Sequence, residues 1–268
     1  MIDPAAGNYS ALDVPEVLQR LFYPRPEPGF SQVPASSRDL LIPVAEGVAV
    51  GARLHPAGAA APTILFFHGN GEIVADYDEL APFYQRLGVN FLPVDYRGYG
   101  RSDGEPTVTA MMQDCHRIFT YVRKNLPEMG YRGPLIVMGR SLGSASALEL
   151  ASAYPERLAG LIIESGFAYA GPLLQLLGVN LDAVKFQEPA GFRNVDKIRA
   201  YTGPTLIIHA EHDHIIPLSD GQALYDAAGA ADKTFLKIPQ ANHNDILFQG
   251  FKEYMAAINR LVEKIRNP

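Results

Sequence analysis

The sequence predicts an α/β protein with a mostly parallel, twisted, eight-stranded sheet carrying helices on both faces. Three observations lead there. From residue 38 onward, apolar runs of strand length alternate with longer segments of helical periodicity. Several of those runs are continuous ("TILFF", "LIVM", "LII", "TLIIH"), as strands covered on both faces must be. The first two runs have no helix between them, which points to an antiparallel hairpin at one edge.

Taken in order, residues 1–37 read as an N-terminal arm. Pro4, Pro15, Pro24, Pro26, Pro28 and Pro34 make most of it irregular or extended. Val14, Val17, Leu18, Leu21 and Phe22 recur at helical spacing, so one short amphipathic helix is expected to dock the arm on the domain. The domain itself should run over 38–268. Its expected strands are Leu40–Val44, Val48–Leu54, Thr63–Phe67, Phe91–Asp95, Leu135–Met138, Leu161–Glu164, Thr205–His209 and Thr234–Ile238. Apolar stripes predict helices over Asp76–Leu87 and Val108–Leu126, and a last one carrying Leu247, Phe251, Tyr254, Ile258, Leu261 and Ile265. Cys115 falls within such a stripe and reads as a buried small hydrophobe. Right-handed crossovers then give a doubly wound sheet with ligands at the carboxyl ends of its strands.

Composition narrows the functional classes. The chain has 268 residues, 47% hydrophobic and 19% charged, enough apolar material for a sizeable core. Lys plus Arg is 23 against 29 Asp plus Glu, and the net charge of −6 without a long basic run argues against nucleic acid as partner. One cysteine excludes an internal disulfide and a Cys/His zinc framework. The start lacks a secretory signal and no stretch is long and apolar enough for a membrane span, so a cytoplasmic location is expected. Oligomeric state is not set by any feature of the sequence.

The chemistry is concentrated in Gly139-Arg140-Ser141-Leu142-Gly143, which sits between an apolar strand and a small-residue helix. In a G-x-S-x-G elbow the serine occupies a strained turn, and side chains at the two glycines would collide with neighbouring strand and helix. A serine needs a base and the base needs an orienting acid. Asp213 follows the strand "TLIIHA", and His243 lies between the last strand and the last helix. Both therefore fall at strand ends on the Ser141 edge, in the order Ser, Asp, His. Glu164 is the alternative acid. Asp245 reads as the cap of the final helix, and His55, His116 and His209 as structural. Glu211, His212 and His214 cluster beside Asp213, but without a second ligand group at metal spacing they do not make a metal site. Two N–H donors should meet the oxyanion: Leu142, and Asn70 in the loop His68-Gly69-Asn70-Gly71-Glu72, with Gly71 as the backup.

These motifs together ("FFHGNG", "VDYRGYGRSDGEP", "GRSLGS", "HAEHDHIIP", "NHND") resemble the α/β-hydrolase superfamily over nearly all of 38–266. They look most like its small serine-hydrolase branch without a large lid, which includes abhydrolase-domain depalmitoylases. The resemblance implies an α/β-hydrolase fold with only a short cap insertion, about 167–200, and assigns Asp95–Ser102 a structural role. It also shows a departure: the branch commonly has H-G-N-A-G-N where this chain has Gly71, Glu72 and Ile73. Within the insertion, Phe167, Leu173 and Leu177 are expected to line an apolar acyl pocket. The resulting expectation is a cofactor-free, metal-free serine hydrolase acting on small-molecule or acyl esters or thioesters. An acyltransferase or peptidase with the same triad, and a silent binding protein on this fold, are the alternatives.

Overall fold

The computed structural model describes residues 9–28 and 33–267. Of the expected arm, Pro4 and residues 29–32 lie outside the described residues. Eight strands form one sheet: β1 (Arg38–Ala45), β2 (Val48–Leu54), β3 (Thr63–Phe67), β4 (Asn90–Val94), β5 (Leu135–Arg140), β6 (Gly160–Glu164), β7 (Thr205–Ala210) and β8 (Lys233–Ile238). Their spatial order is β1-β2-β4-β3-β5-β6-β7-β8. β1 and β2 are the expected antiparallel hairpin, β2 meets β4 antiparallel, and every later pair is parallel. The expected strands match the observed ones to within two residues at each end.

The central strands are buried along their whole length, and alternate side chains feed two cores. Ile64 and Phe66 of β3 point into one, where helices α2 (Ala81–Arg86) and α8 (Ile246–Arg266) pack. Leu65 and Phe67 point into the other, with α3 (Val108–Glu128), α4 (Gly143–Ala153), α6 (Asn194–Ala200) and α7 (Leu218–Ala227). This second core also takes the arm: α1 (Pro15–Leu21) buries Val17 and Leu21, and Tyr9, Leu12 and Phe22 join them. Cys115 is fully buried on α3. Its Sγ donates to the Met112 carbonyl.

One expected helix is divided. The stretch 76–87 is a 3-10 turn, Val74–Tyr77, followed by α2 from Ala81. Pro82 is the reason: without an N–H it is tolerated only in a helix's first turn, so the helix containing it must begin at its doorstep. The insertion after β6 holds α5 (Ala170–Leu176) and a 3-10 turn, Glu188–Ala190, before α6 rejoins the core. Among the described residues no helix is long and apolar enough to cross a membrane.

Candidate active site

β5 delivers Ser141 at the carboxyl edge of the sheet. Its φ of 50° is left-handed, a strained setting for a residue with a side chain. Hydrogen bonds on both sides hold it there: Ser141 N–H donates to Glu164 O at 2.9 Å, and Ser144 Oγ donates to Ser141 O at 2.6 Å. The flanking glycines are steric necessities. A Cβ on Gly139 would overlap the Gly143 carbonyl, and one on Gly143 would overlap the Phe67 carbonyl.

The three expected residues meet. His243 Nε2 lies 3.0 Å from Ser141 Oγ, and His243 Nδ1 lies 2.8 Å from Asp213 Oδ2. The other Asp213 oxygen accepts the N–H groups of Ile215 and Ile216 at 3.0 and 2.8 Å. Burial alone would raise the Asp213 carboxyl. The His243 hydrogen bond and these N–H groups outweigh it and hold the carboxyl below its usual range. All three side chains are buried. Glu164 is turned away to Arg140 and Tyr254. Asp245 stands at the start of α8 but does not cap it through its side chain, which accepts from Asn242 N and Nδ2 instead.

Of the oxyanion candidates, the N–H groups of Leu142 and Asn70 have no hydrogen-bond acceptor among the described residues. The Gly69 N–H is taken by Glu72 Oε2 at 2.7 Å. Phe167 does not reach a pocket. Its side chain is sealed at 0% exposure, edge-on to Phe192 with rings 5.2 Å apart, because an aromatic beside another aromatic completes the core there. Leu173 and Leu177 are half-buried against the same core. A cavity of about 410 Å³ opens on the α2 and α8 side instead, lined in part by Glu72, Tyr77, Arg140, Asn244 and Leu247. None of Ser141, Asp213, His243, Phe167, Leu173 and Leu177 lines it.

Two residues escaped sequence reasoning. Arg140 is almost enclosed and contacts three distant parts of the chain: Nε reaches Glu164 at 3.0 Å, Nη1 pairs with Glu72, and Nη2 donates to the His243 carbonyl at 2.8 Å. Burial would raise Glu72, yet Arg140 and the Tyr77 hydroxyl keep it ionised; for Glu164 burial prevails and pushes its carboxyl up. His209, read as structural, lies under the acid. Its Nε2 donates to Ile216 O at 2.8 Å and is 3.7 Å from Asp213 Oδ2. Burial pushes its pKa down, so it adds no second cation to the Asp213 site. Only their apolar strand context signalled these positions; the partners of Arg140 are distant in the sequence, while those of His209 lie four and seven residues on.

Among the described residues no group of three or more His, Cys, Asp or Glu is arranged to hold a metal ion. Glu211 is engaged by Lys237 and the Gln240 N–H.

A family model described as serine aminopeptidase, S33, matches residues 58–187, a stretch with the H-G-N-G loop and the elbow but neither Asp213 nor His243. Human α/β hydrolase domain-containing protein 17B is 31% identical over 208 residues, covering 75% of this chain and 66% of that protein. Protein bem46 of Schizosaccharomyces pombe is 26% identical over 196 residues, 69% of this chain and 62% of the relative. The chain thus spans just under two thirds of these relatives. Among solved structures, an esterase from Pyrococcus furiosus superposes with a TM-score of 0.70 over 90% of this chain and 99% of its own, at 17% identity, a likeness of fold.

Proposed function

The chain belongs to the α/β-hydrolase superfamily, and from that premise we propose that it is a serine hydrolase cleaving carboxylic esters or thioesters. The observation that carries this reading is the continuous hydrogen-bonded series from Asp213 through His243 to Ser141 Oγ. Ser141 attacks the carbonyl carbon as His243 Nε2 takes its proton, and the buried Asp213 carboxylate holds the imidazole with Nδ1 protonated. The unpartnered Leu142 and Asn70 N–H groups accept the charge that grows on the carbonyl oxygen. His243 then protonates the departing alkoxide or thiolate, and water releases the acyl group by the same steps in reverse roles. No cofactor enters this sequence.

The same proposal takes 38–268 as the catalytic domain and the insertion at about 167–200 as a short cap, with Leu173 and Leu177 as its acyl contacts. A fluorophosphonate probe tests it. Labelling of the wild type that disappears in Ser141→Ala supports the reading, and a folded wild type that is never labelled overturns it. Aryl esters and thioesters of increasing chain length then rank the acyl preference. The serine aminopeptidase description of the matching family model favours amide cleavage as a second reading. Aminoacyl arylamides turned over faster than every ester would select it.

A further inference from the structure

We propose that residues 23–25 of the N-terminal arm position the oxyanion loop, so that the arm is part of the catalytic apparatus. The Tyr23 N–H lies 2.7 Å from Asn70 Oδ1 and 2.7 Å from the Tyr99 hydroxyl oxygen, and that hydroxyl donates to the same Oδ1 at 2.7 Å. Two donors therefore converge on the side chain of the residue whose N–H is left open toward the site. Two residues further, Arg25 Nε donates to the Gly71 carbonyl at 2.7 Å. The Arg25 guanidinium also pairs with Asp76, whose carboxylate accepts the Ile73 N–H at 2.9 Å. The loop 69–73 is thus held from the arm at its side chain, at its carbonyl and through its exit.

A clamp must itself be fixed, and this one is anchored on both sides. Upstream, Leu21 and Phe22 are buried in the core. Downstream, the Arg25 carbonyl accepts the Gly100 N–H at 2.9 Å and the Glu27 N–H returns a bond to Gly100 O at 3.1 Å. The Glu27 carboxylate is then gripped by Arg101 and lies 3.6 Å from the buried Arg53. The contact is made by main chain and guanidinium. The Tyr23 ring is 72% exposed, so it adds little to the hold.

The positioning role rests on the reading of Ser141 as nucleophile and the Asn70 N–H as oxyanion donor. An oxyanion donor acts mainly in the transition state, so shifting it lowers kcat and kcat/KM together and leaves KM nearly alone. Four variants test this: Tyr23→Pro, which removes the N–H, Tyr23→Ala, which keeps it, Arg25→Ala and Arg25→Lys. Phe22 is extended (φ −116°, ψ 134°), the geometry that precedes a proline without strain. Aryl-ester kcat and the fluorophosphonate labelling rate should fall roughly ten- to a hundredfold in Tyr23→Pro and Arg25→Ala, less than the ~10²–10³ for outright loss of a donor. KM should stay within about twofold, Arg25→Lys should recover part of the loss, and Tyr23→Ala, which keeps the N–H, should lose much less than Tyr23→Pro.

Wild-type rates in folded Arg25→Ala overturn the positioning role, as do losses confined to KM or equal losses in Tyr23→Ala and Tyr23→Pro. If Tyr23→Pro fails to fold, the two Arg25 variants decide. A wild type that the probe never labels overturns the serine-hydrolase reading itself, a result distinct from labelled wild type with indifferent arm variants.

Discussion

Arg140 Nη2 donates to the main-chain carbonyl of His243 at 2.8 Å, so the residue before the candidate nucleophile holds the loop that carries its candidate base. The same guanidinium joins Glu72 of the candidate oxyanion loop to Glu164 at the end of β6. Two loops and a strand end with no common stretch of sequence share one cation.

Replacing it should be costly. Arg140→Met leaves two carboxylates buried without their counter-charge, and breaking a buried pair in this way costs roughly 3–5 kcal/mol. A urea midpoint well below the wild type is expected, with turnover of the folded fraction also reduced. Arg140→Lys should not restore stability, since one ammonium cannot reach Glu72, Glu164 and His243 O together. A midpoint within error of the wild type for the Met variant would contradict this.

Asp213→Asn and Glu164→Gln should differ in kind. The asparagine presents an N–H or a neutral oxygen to His243 and should lower kcat by roughly 10³–10⁴ with the melting temperature largely kept. Glu164→Gln touches Arg140 and Tyr254 but not His243, so its main effect should be on stability, with kcat reduced by less than about tenfold. The reverse order would make Glu164 the acid.

Acid stability should depend on Glu149. Its buried carboxyl would be raised by desolvation, but His116 and Lys197 lower it from 4.5 to about 2. A depressed folded pKa means a contribution fully present above 4.5 that disappears as pH falls toward 2, at most roughly 3 kcal/mol. Burial pulls Lys197 down as well, which offsets part of that gain at neutral pH. The stability gap between wild type and Glu149→Gln, from denaturant melts, should therefore shrink between pH 5 and 2. A gap independent of pH would show that Glu149 is not held ionised.

Glycine positions give a sharper contrast. Gly143→Ala drives a methyl into the Phe67 carbonyl, a backbone group unable to yield, and should cost more than the ~1–3 kcal/mol of ordinary overpacking. At Gly58 a Cβ meets only Ala61 Cβ, at 4.0 Å, so Gly58→Ala should lie within about 0.5 kcal/mol of the wild type. Thermal melts of the two side by side measure the difference.

The strands were legible because runs such as Thr63–Phe67 are buried on both faces, and burial writes itself into composition. The elbow was legible because sterics restrict Gly139 and Gly143 to hydrogen as side chain. The elements around Pro82, Phe167 and Asp245 read less well, since the first signal at each is overridden: by the restriction of proline to a first helical turn, by the tertiary contact with the Phe192 ring, and by the nearby Asn242 amide. Arg140, His209 and the Tyr23–Asn70 contact carry almost no local signal. The partners of Arg140 and Tyr23 lie 24 to 103 and 47 residues away, brought near only by the fold, and those of His209 four to seven residues on, across the turn after β7.

The docking of the arm also has a consequence for how the molecule matures. Tyr9 hydrogen-bonds to Glu149 and Lys197, 140 and 188 residues later, and Arg20 closes on the Leu177 carbonyl, 157 residues on. These arm residues are synthesised before their seats, which lie 140 to 188 residues further along the chain. Until those seats exist, the apolar face of Leu12, Val17 and Leu21 has no core to cover, so the arm must dock late in folding.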